Sequence, residues 1–264
     1  MIDVIRLALE EDIGAGDVTT LACVPEGQKA HGLFLAREPL VLAGLGLLPQ
    51  LYPEVITYKQ DGDRAVDGEV IAEVRGTARL LLERERVALN FLQRLSGVAT
   101  LARQFADAVA GTGCRVLDTR KTTPGLRALE KAAAAAGGVV NHRMGLYDAV
   151  LIKNNHITAA GGVRAAMENT RRSGLPIEIE VRTRAELQEA LECGAEHLLL
   201  DNLTPAEAAE WVREIGGRAK VELSGGVTLK TVRAYAETGA DFVSAGAITH
   251  SARAMDISFR LELK

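Results

Sequence analysis

At 264 residues, 47% of them hydrophobic and 25% charged, the chain can bury one large core, or one large and one small, and is neither disordered nor fibrous in composition. A net charge of −4 and only ten aromatic residues (five Phe, four Tyr, one Trp) exclude the basic field and stacking platforms of a nucleic-acid binder. No apolar run approaches the ~18 residues of a membrane span, the N-terminus lacks a basic segment followed by an apolar one, and Cys23, Cys114 and Cys193 have neither disulfide nor zinc spacing. A soluble, cytoplasmic protein with reduced thiols and no membrane partner is expected.

Ile2, Ile5 and Leu9 recur at helical spacing until the glycines at 14 and 16 break the pattern. Residues 32–36, 40–43, 55–58 and 70–74 read as strands separated by Pro, Gly or Asp turns, with Asp61-Gly62 as the clearest hairpin signal. Residues 78–96 form an amphipathic helix ended by Gly97, with Leu81, Leu82, Ala88, Leu89, Leu92 and Leu95 as its apolar stripe and Glu85 as an unexplained interruption. Strands followed by a helix indicate a small α+β domain.

Beyond Gly97, strand and helix alternate. Strand candidates end at Leu117, Ile152, Val181, Leu200, Leu223 and Ser244, with helices at 184–193, 205–215 and 229–238 between the later ones. Repeats of about twenty residues suit the βα units of a barrel. Six strands are fewer than eight, so an incomplete β/α barrel is expected, with 138–141 as a possible further short strand.

Cations collect at the ends of two of these strands. The stretch 115–156 holds seven Lys or Arg against three acids, a local excess of +4, so the remainder of a chain of net charge −4 sums to −8. Arg120 and Lys121 follow one apolar run and Lys153 another, at the carboxyl ends where α/β sheets bind ligands. Solvated cations stabilise a fold very little, so the cluster points to an anionic small molecule.

Other strand ends add polar residues. Glu180 and Asp201 suit a ribose hydroxyl or a divalent metal, although taken alone such residues more often form a helix cap or an internal ion pair with a lysine. Ser224-Gly225-Gly226 and Ala245-Gly246-Ala247, after the last two strands, let backbone N–H groups approach a phosphate. His142, beside Arg143, reads as a hydrogen-bond donor to an anion, and His156 as a helix cap. His250 belongs to no metalloprotease or triad framework.

The segments ERVALNFLQRLSG (85–97), TRKTTPGLR (119–127), NHRMGLYDAVLIKNNH (141–156), EIEV (178–181), LLLDN (198–202) and LSGG (223–226) run in one order along nearly the whole chain. In this they resemble the quinolinate phosphoribosyltransferases. The resemblance implies an N-terminal α/β sandwich over 1–100, with the tail 252–264 able to pack on it, and an open α/β barrel over 101–251. It implies transfer from phosphoribosyl pyrophosphate (PRPP) to quinolinate with decarboxylation, magnesium as cofactor, and a homodimer or higher assembly. Arg120, His142, Arg143 and Lys153 would then line the quinolinate pocket and, with Lys121, extend towards the diphosphate. Glu180 and Asp201 would hold ribose hydroxyls and magnesium, and Ser224, Gly225, Gly246 and His250 the 5′-phosphate. Lys121, Lys153, Glu180 and Asp201 would be catalytic, and Arg86 would reach into the neighbouring subunit's site. A paralogue with another acceptor and a non-enzymatic phosphometabolite-binding barrel are the alternatives.

Overall fold

The computed structural model describes residues 3–263; Ile2, the first member of the opening apolar stripe, lies outside them. The chain forms two compact units, one made of the residues up to Arg103, Thr122–Gly138 and the segment from Ser251 on, the other of Gln104–Lys121 and Val139–His250. Residues 122–138, assigned from the sequence to the barrel domain, thus group with the first unit.

The chain opens with α1 (Val4–Ile13) and α2 (Val18–Cys23), whose first turns donate to the Asp3 and Asp17 carboxylates at 3.0 and 2.9 Å. Next come β1 (Lys29–Ala36), β2 (Leu40–Val41), α3 (Leu48–Leu51), β3 (Glu54–Thr57), β4 (Arg64–Ala65), β5 (Val70–Thr77) and α4 (Ala78–Ala108). The strand expected over 40–43 shrinks to two residues because the N–H groups of Val41 and Ala43 donate to the Thr100 and Ser96 hydroxyls of α4, at 2.8 and 3.1 Å. Asp61-Gly62 is no hairpin turn, since β3 pairs with β5 and β4 with β2 in separate sheets. The Asp61 carboxylate instead accepts from the N–H groups of Gly44 and Leu45, at 3.1 and 3.0 Å.

Gly97 does not end α4, which runs through it for 31 residues. A Cβ there would stand 1.9 Å from the carbonyl oxygen of Arg253, so glycine serves close backbone approach rather than helix termination. Of the expected stripe, Leu81, Ala88, Leu89, Leu92 and Leu95 are buried, whereas Leu82 is only partly so and Val87 is buried in addition. Glu85 is half-buried among them, and burial raises its carboxyl above the usual range.

β6 (Arg115–Leu117) precedes α5 (Arg127–Ala136), whose fully buried Glu130 accepts from Arg94 Nη2 at 2.7 Å and from the N–H and hydroxyl of Thr123 at 2.9 and 2.7 Å. Then follow β7 (Val150–Ile152), α6 (Asn154–Ala160), α7 (Val163–Thr170), β8 (Ile177–Val181), α8 (Arg184–Glu192), β9 (His197–Asp201), α9 (Pro205–Ile215) and β10 (Lys220–Ser224). The chain closes with α10 (Val232–Ala236), β11 (Phe242–Ser244), α11 (Ala247–His250) and β12 (Ile257–Leu263). The helix expected over 229–238 is shorter because the Thr231 hydroxyl takes the Thr228 N–H at 3.0 Å, an alternative to helical pairing.

In the first unit the antiparallel sheet has the order β12-β1-β5-β3, so the C-terminal strand is integral to it. In the second, six parallel strands run β6-β11-β10-β9-β8-β7. Chain neighbours pair throughout except β6 and β7, where a barrel of this order stays open. Val140 makes a single parallel bridge to Leu117 beside that gap, in place of the short strand considered for 138–141.

Candidate active site

The pairing register decides which residues share a face. Glu180 lies opposite Leu199, Leu199 opposite Glu222, and Asp201 opposite Ser224, so the period of two puts Glu178, Glu180, Asp201, Glu222 and Ser224 on one face of the sheet. The other face carries Ile179, Val181, Leu198, Leu200, Val221 and Leu223, all buried. Asp201 and Ser224 are the last residues of their strands and Glu180 the last but one of its own, which sets them at the carboxyl end of the sheet.

Cations stand against this acidic face. Lys153 Nζ lies 3.5 Å from Glu180 Oε2, a pair in which the carboxylate is nearly buried and the lysine half exposed. The Arg143 guanidinium is anchored by Nη1 donating to the Ala149 carbonyl at 3.2 Å. Its pKa is held below the usual arginine value, first by burial and then by the neighbouring Arg120 cation. Two guanidiniums near enough to oppose each other's charge, one partly desolvated, make a receptacle for an anion with more than one negative group.

His142 is part-buried and faces two acids. Its Nε2 faces Glu178 Oε2 at 3.0 Å and Glu222 Oε2 at 3.3 Å, and its backbone N–H donates to the fully buried Asp118 at 2.8 Å. Burial opposes a charged ring, but the two carboxylates outweigh it and raise the imidazole to about 10, while burial raises Glu178 above the usual carboxylate range. The Arg143 N–H lies 2.7 Å from Nδ1 and needs that nitrogen's lone pair, so the Nε2 proton is the fixed one. The extra proton belongs to the three groups together. Their ligand atoms lie within 4.8 Å of one another and could hold a metal ion, with a nitrogen donor that suits zinc better than magnesium. Glu180 and Asp201 are the oxygen-only set.

The glycine-bearing strand ends are as tightly built. A Cβ on Gly246 would meet Lys121 Cδ at 2.7 Å and His250 Cδ2 at 3.2 Å, so Lys121 and His250 both crowd that loop. The Thr249 hydroxyl, fully buried, donates to the Lys121 carbonyl at 2.7 Å and ties α11 to the residues after β6. Arg86 sits on α4 in the first unit with its side chain 57% exposed and its Nη2 4.0 Å from Glu85 Oε1. His156 caps α6, its Nδ1 accepting from the Lys153 N–H at 2.9 Å.

Residues 17–96 match the model of the quinolinate phosphoribosyl transferase N-terminal domain and residues 98–260 that of its C-terminal domain. The chain belongs to the quinolinate phosphoribosyl transferase family. It is 40% identical to a probable nicotinate-nucleotide pyrophosphorylase [carboxylating] of Bacillus subtilis, over 96% of this chain and 90% of that one. A chloroplastic enzyme of the same description from Oryza sativa is 41% identical, covering 98% of this chain and 77% of its own length. Among solved structures, NadC from Streptococcus pyogenes matches with a TM-score of 0.94 at 36% identity, covering 99% of this chain and 96% of that one. Nicotinate-nucleotide pyrophosphorylase from Ehrlichia chaffeensis matches with a TM-score of 0.94 at 36% identity, covering 98% of both chains. The fold is therefore the small sandwich domain and open β/α barrel of that family.

Within this quinolinate phosphoribosyl transferase fold, Asp118, Glu178, Glu222, Asn202 and Thr249 were not singled out from the sequence. Glu178 was within reach, since alternation in 177–181 puts it on the face of Glu180. Glu222 has the same relation to Ser224. Nothing local marks the partnership of either with His142, which lies 36 residues from one and 80 from the other along the chain.

Proposed function

We propose that this chain transfers the phosphoribosyl group of PRPP to quinolinate and releases nicotinate mononucleotide, pyrophosphate and carbon dioxide, a step of NAD biosynthesis. The observation that carries this reading is the Arg120–Arg143 pair on an otherwise acidic protein, with Arg143 held below its ordinary pKa by burial and by its neighbour. A dicarboxylate relieves that repulsion and uses both forks. Family membership supports the reading, as does the likeness to nicotinate-nucleotide pyrophosphorylases at 40% and 41% identity.

In this assignment Arg120, Arg143 and Lys153 hold the two carboxylates, with Lys121 directed at the diphosphate, while His142, both of whose ring nitrogens are engaged by Arg143 N–H, Glu178 and Glu222, supports Arg143 rather than touching the substrate. Glu180 and Asp201 receive the ribose hydroxyls, and Ser224, Gly225, Gly246 and His250 the 5′-phosphate. The pyridine nitrogen attacks C1 of the ribose as the C1–oxygen bond to pyrophosphate breaks. No protein nucleophile is needed, so positioning and charge stabilisation supply the rate. The carboxylate next to the new ring cation leaves as carbon dioxide, its electron pair passes to the ring, and the carbon takes a proton. Glu180 and Asp201 are hard oxygen donors at neighbouring strand ends and suit Mg²⁺, which when bound supplies positive charge to the diphosphate.

We further propose a homodimer in which Arg86 completes the neighbouring site. Its exposed guanidinium, 4.0 Å from Glu85 Oε1, fits such a role. No helix among the described residues is long and apolar enough to cross a membrane, and Cys23, Cys114 and Cys193 are free. The test is turnover of labelled PRPP with a panel of pyridine carboxylates. Quinolinate should be the preferred acceptor, with nicotinate far behind. Preference for another ring would move the chain to a different acceptor, and binding without turnover would make it a phosphometabolite-binding barrel.

A further inference from the structure

Among the described residues, Asn202 is the one non-glycine with a positive φ, at 58°. It directly follows Asp201, the residue to which the ribose of PRPP is assigned above, and this inference rests on that assignment. Its side chain lies against Asp201 and the loop after β10. Nδ2 donates to Asp201 Oδ2 at 2.6 Å, and a Cβ on Gly225 would stand 2.3 Å from Asn202 Oδ1 and 2.7 Å from its backbone nitrogen. The backbone is held as well, its N–H donating to the Ser224 carbonyl at 2.9 Å. The left-handed turn therefore folds the amide back onto the carboxylate before it and presses the residue against the glycine loop after β10.

We propose that Asn202 is a positioning residue that aims the Asp201 carboxylate and sets its distance from the Ser224-Gly225 phosphate loop, so that ribose and 5′-phosphate are gripped in one geometry. Only an amide does both. Glycine and aspartate accept the same backbone conformation, but glycine offers no donor, and aspartate sets a second carboxylate against the first. The order of the variants separates this role from that of a turn former. For a turn former, Asn202→Asp, nearly isosteric and at ease with positive φ, is the mildest change. For a positioning residue it is the more damaging of the two.

The full chain and its variants Asn202→Gly, Asn202→Asp and Asp201→Asn are compared by thermal melting, by calorimetric titration with PRPP alone, and by steady-state kinetics with quinolinate. The expected result is near wild-type melting for Asn202→Gly with PRPP binding weakened ~10-fold, a larger loss for Asn202→Asp, and a KM for quinolinate within about twofold of wild type in both. Wild-type PRPP affinity in both Asn202 variants, alongside a loss in Asp201→Asn, overturns the positioning role and leaves the site assignment standing. Wild-type affinity in Asp201→Asn removes the assignment of the ribose to Asp201 and this inference with it. A loss in Asn202→Gly that Asn202→Asp does not share also overturns it.

Discussion

Single side chains in the barrel unit are set by charge opposed to burial. Arg143 is held below its ordinary pKa with Arg120 beside it, so replacing it by Met removes a cation that a dicarboxylate needs more than a monocarboxylate does. Arg143→Met should lower kcat/KM for quinolinate on the order of 100-fold, about 3 kcal/mol, in steady-state assays. An unchanged kcat/KM would remove Arg143 from the acceptor pocket. The His142–Glu178–Glu222 group gives a pH dependence with a definite sign. Its imidazole is raised from 6.5 to about 10 by two carboxylates and Glu178 is raised by burial, so the folded chain binds more protons than the unfolded one. That stability is complete below the unfolded imidazole value and is lost as pH rises through about 10. Melting temperature should therefore fall between about pH 7 and 10 in the wild type and fall less steeply in His142→Gln, with the difference between the two curves isolating this cluster from other groups that titrate there.

Elements are positioned by contacts that span the sequence. The helix α4 continues through Gly97 because the Arg253 carbonyl needs the space a Cβ would fill, 1.9 Å from the oxygen. Alanine should gain about 1 kcal/mol of helix propensity at such a position, and the clash should reverse that sign. Gly97→Ala is expected to lose about 2 kcal/mol or more in urea unfolding, and a more stable variant would show that no close approach exists. Glu130 likewise belongs to a network rather than to its own helix, with Arg94 and Thr123 satisfying a carboxylate that has no exposure. A poly-alanine stretch can bury such an acid only when partners from elsewhere in the fold arrive with it.

For the molecule as a whole, the open question is whether one chain holds a complete site. Arg86→Ala and Lys121→Ala should each be nearly inactive, since each removes a cation from a polyanion site. If Arg86 is donated across a two-fold axis, each mixed dimer has one site with both lesions and one with neither. A co-refolded equimolar mixture should then recover roughly a quarter of wild-type activity. With Arg86 acting in its own subunit, every site carries one lesion and the mixture stays at the parental level. Native mass spectrometry of the same sample, confirming mixed dimers, makes an inactive mixture decisive against a shared site.

The amino-acid order alone determined the six barrel strands, because a short apolar run ending abruptly in polar residues has few other folds. It also located Arg120, Lys121, Lys153, Glu180, Asp201 and the two glycine loops at strand ends, since strand ends are local features. What it left open depends on partners far along the chain. Gly97 reads as a helix stop until the Arg253 carbonyl is beside it, and Asp61-Gly62 reads as a hairpin until its two flanking strands join different sheets. His142 reads as a hydrogen-bond donor to an anion until the fold brings Glu178 and Glu222 to its Nε2. Burial and long-range pairing set the charge state of such a group, and both exist only once the sheet has formed.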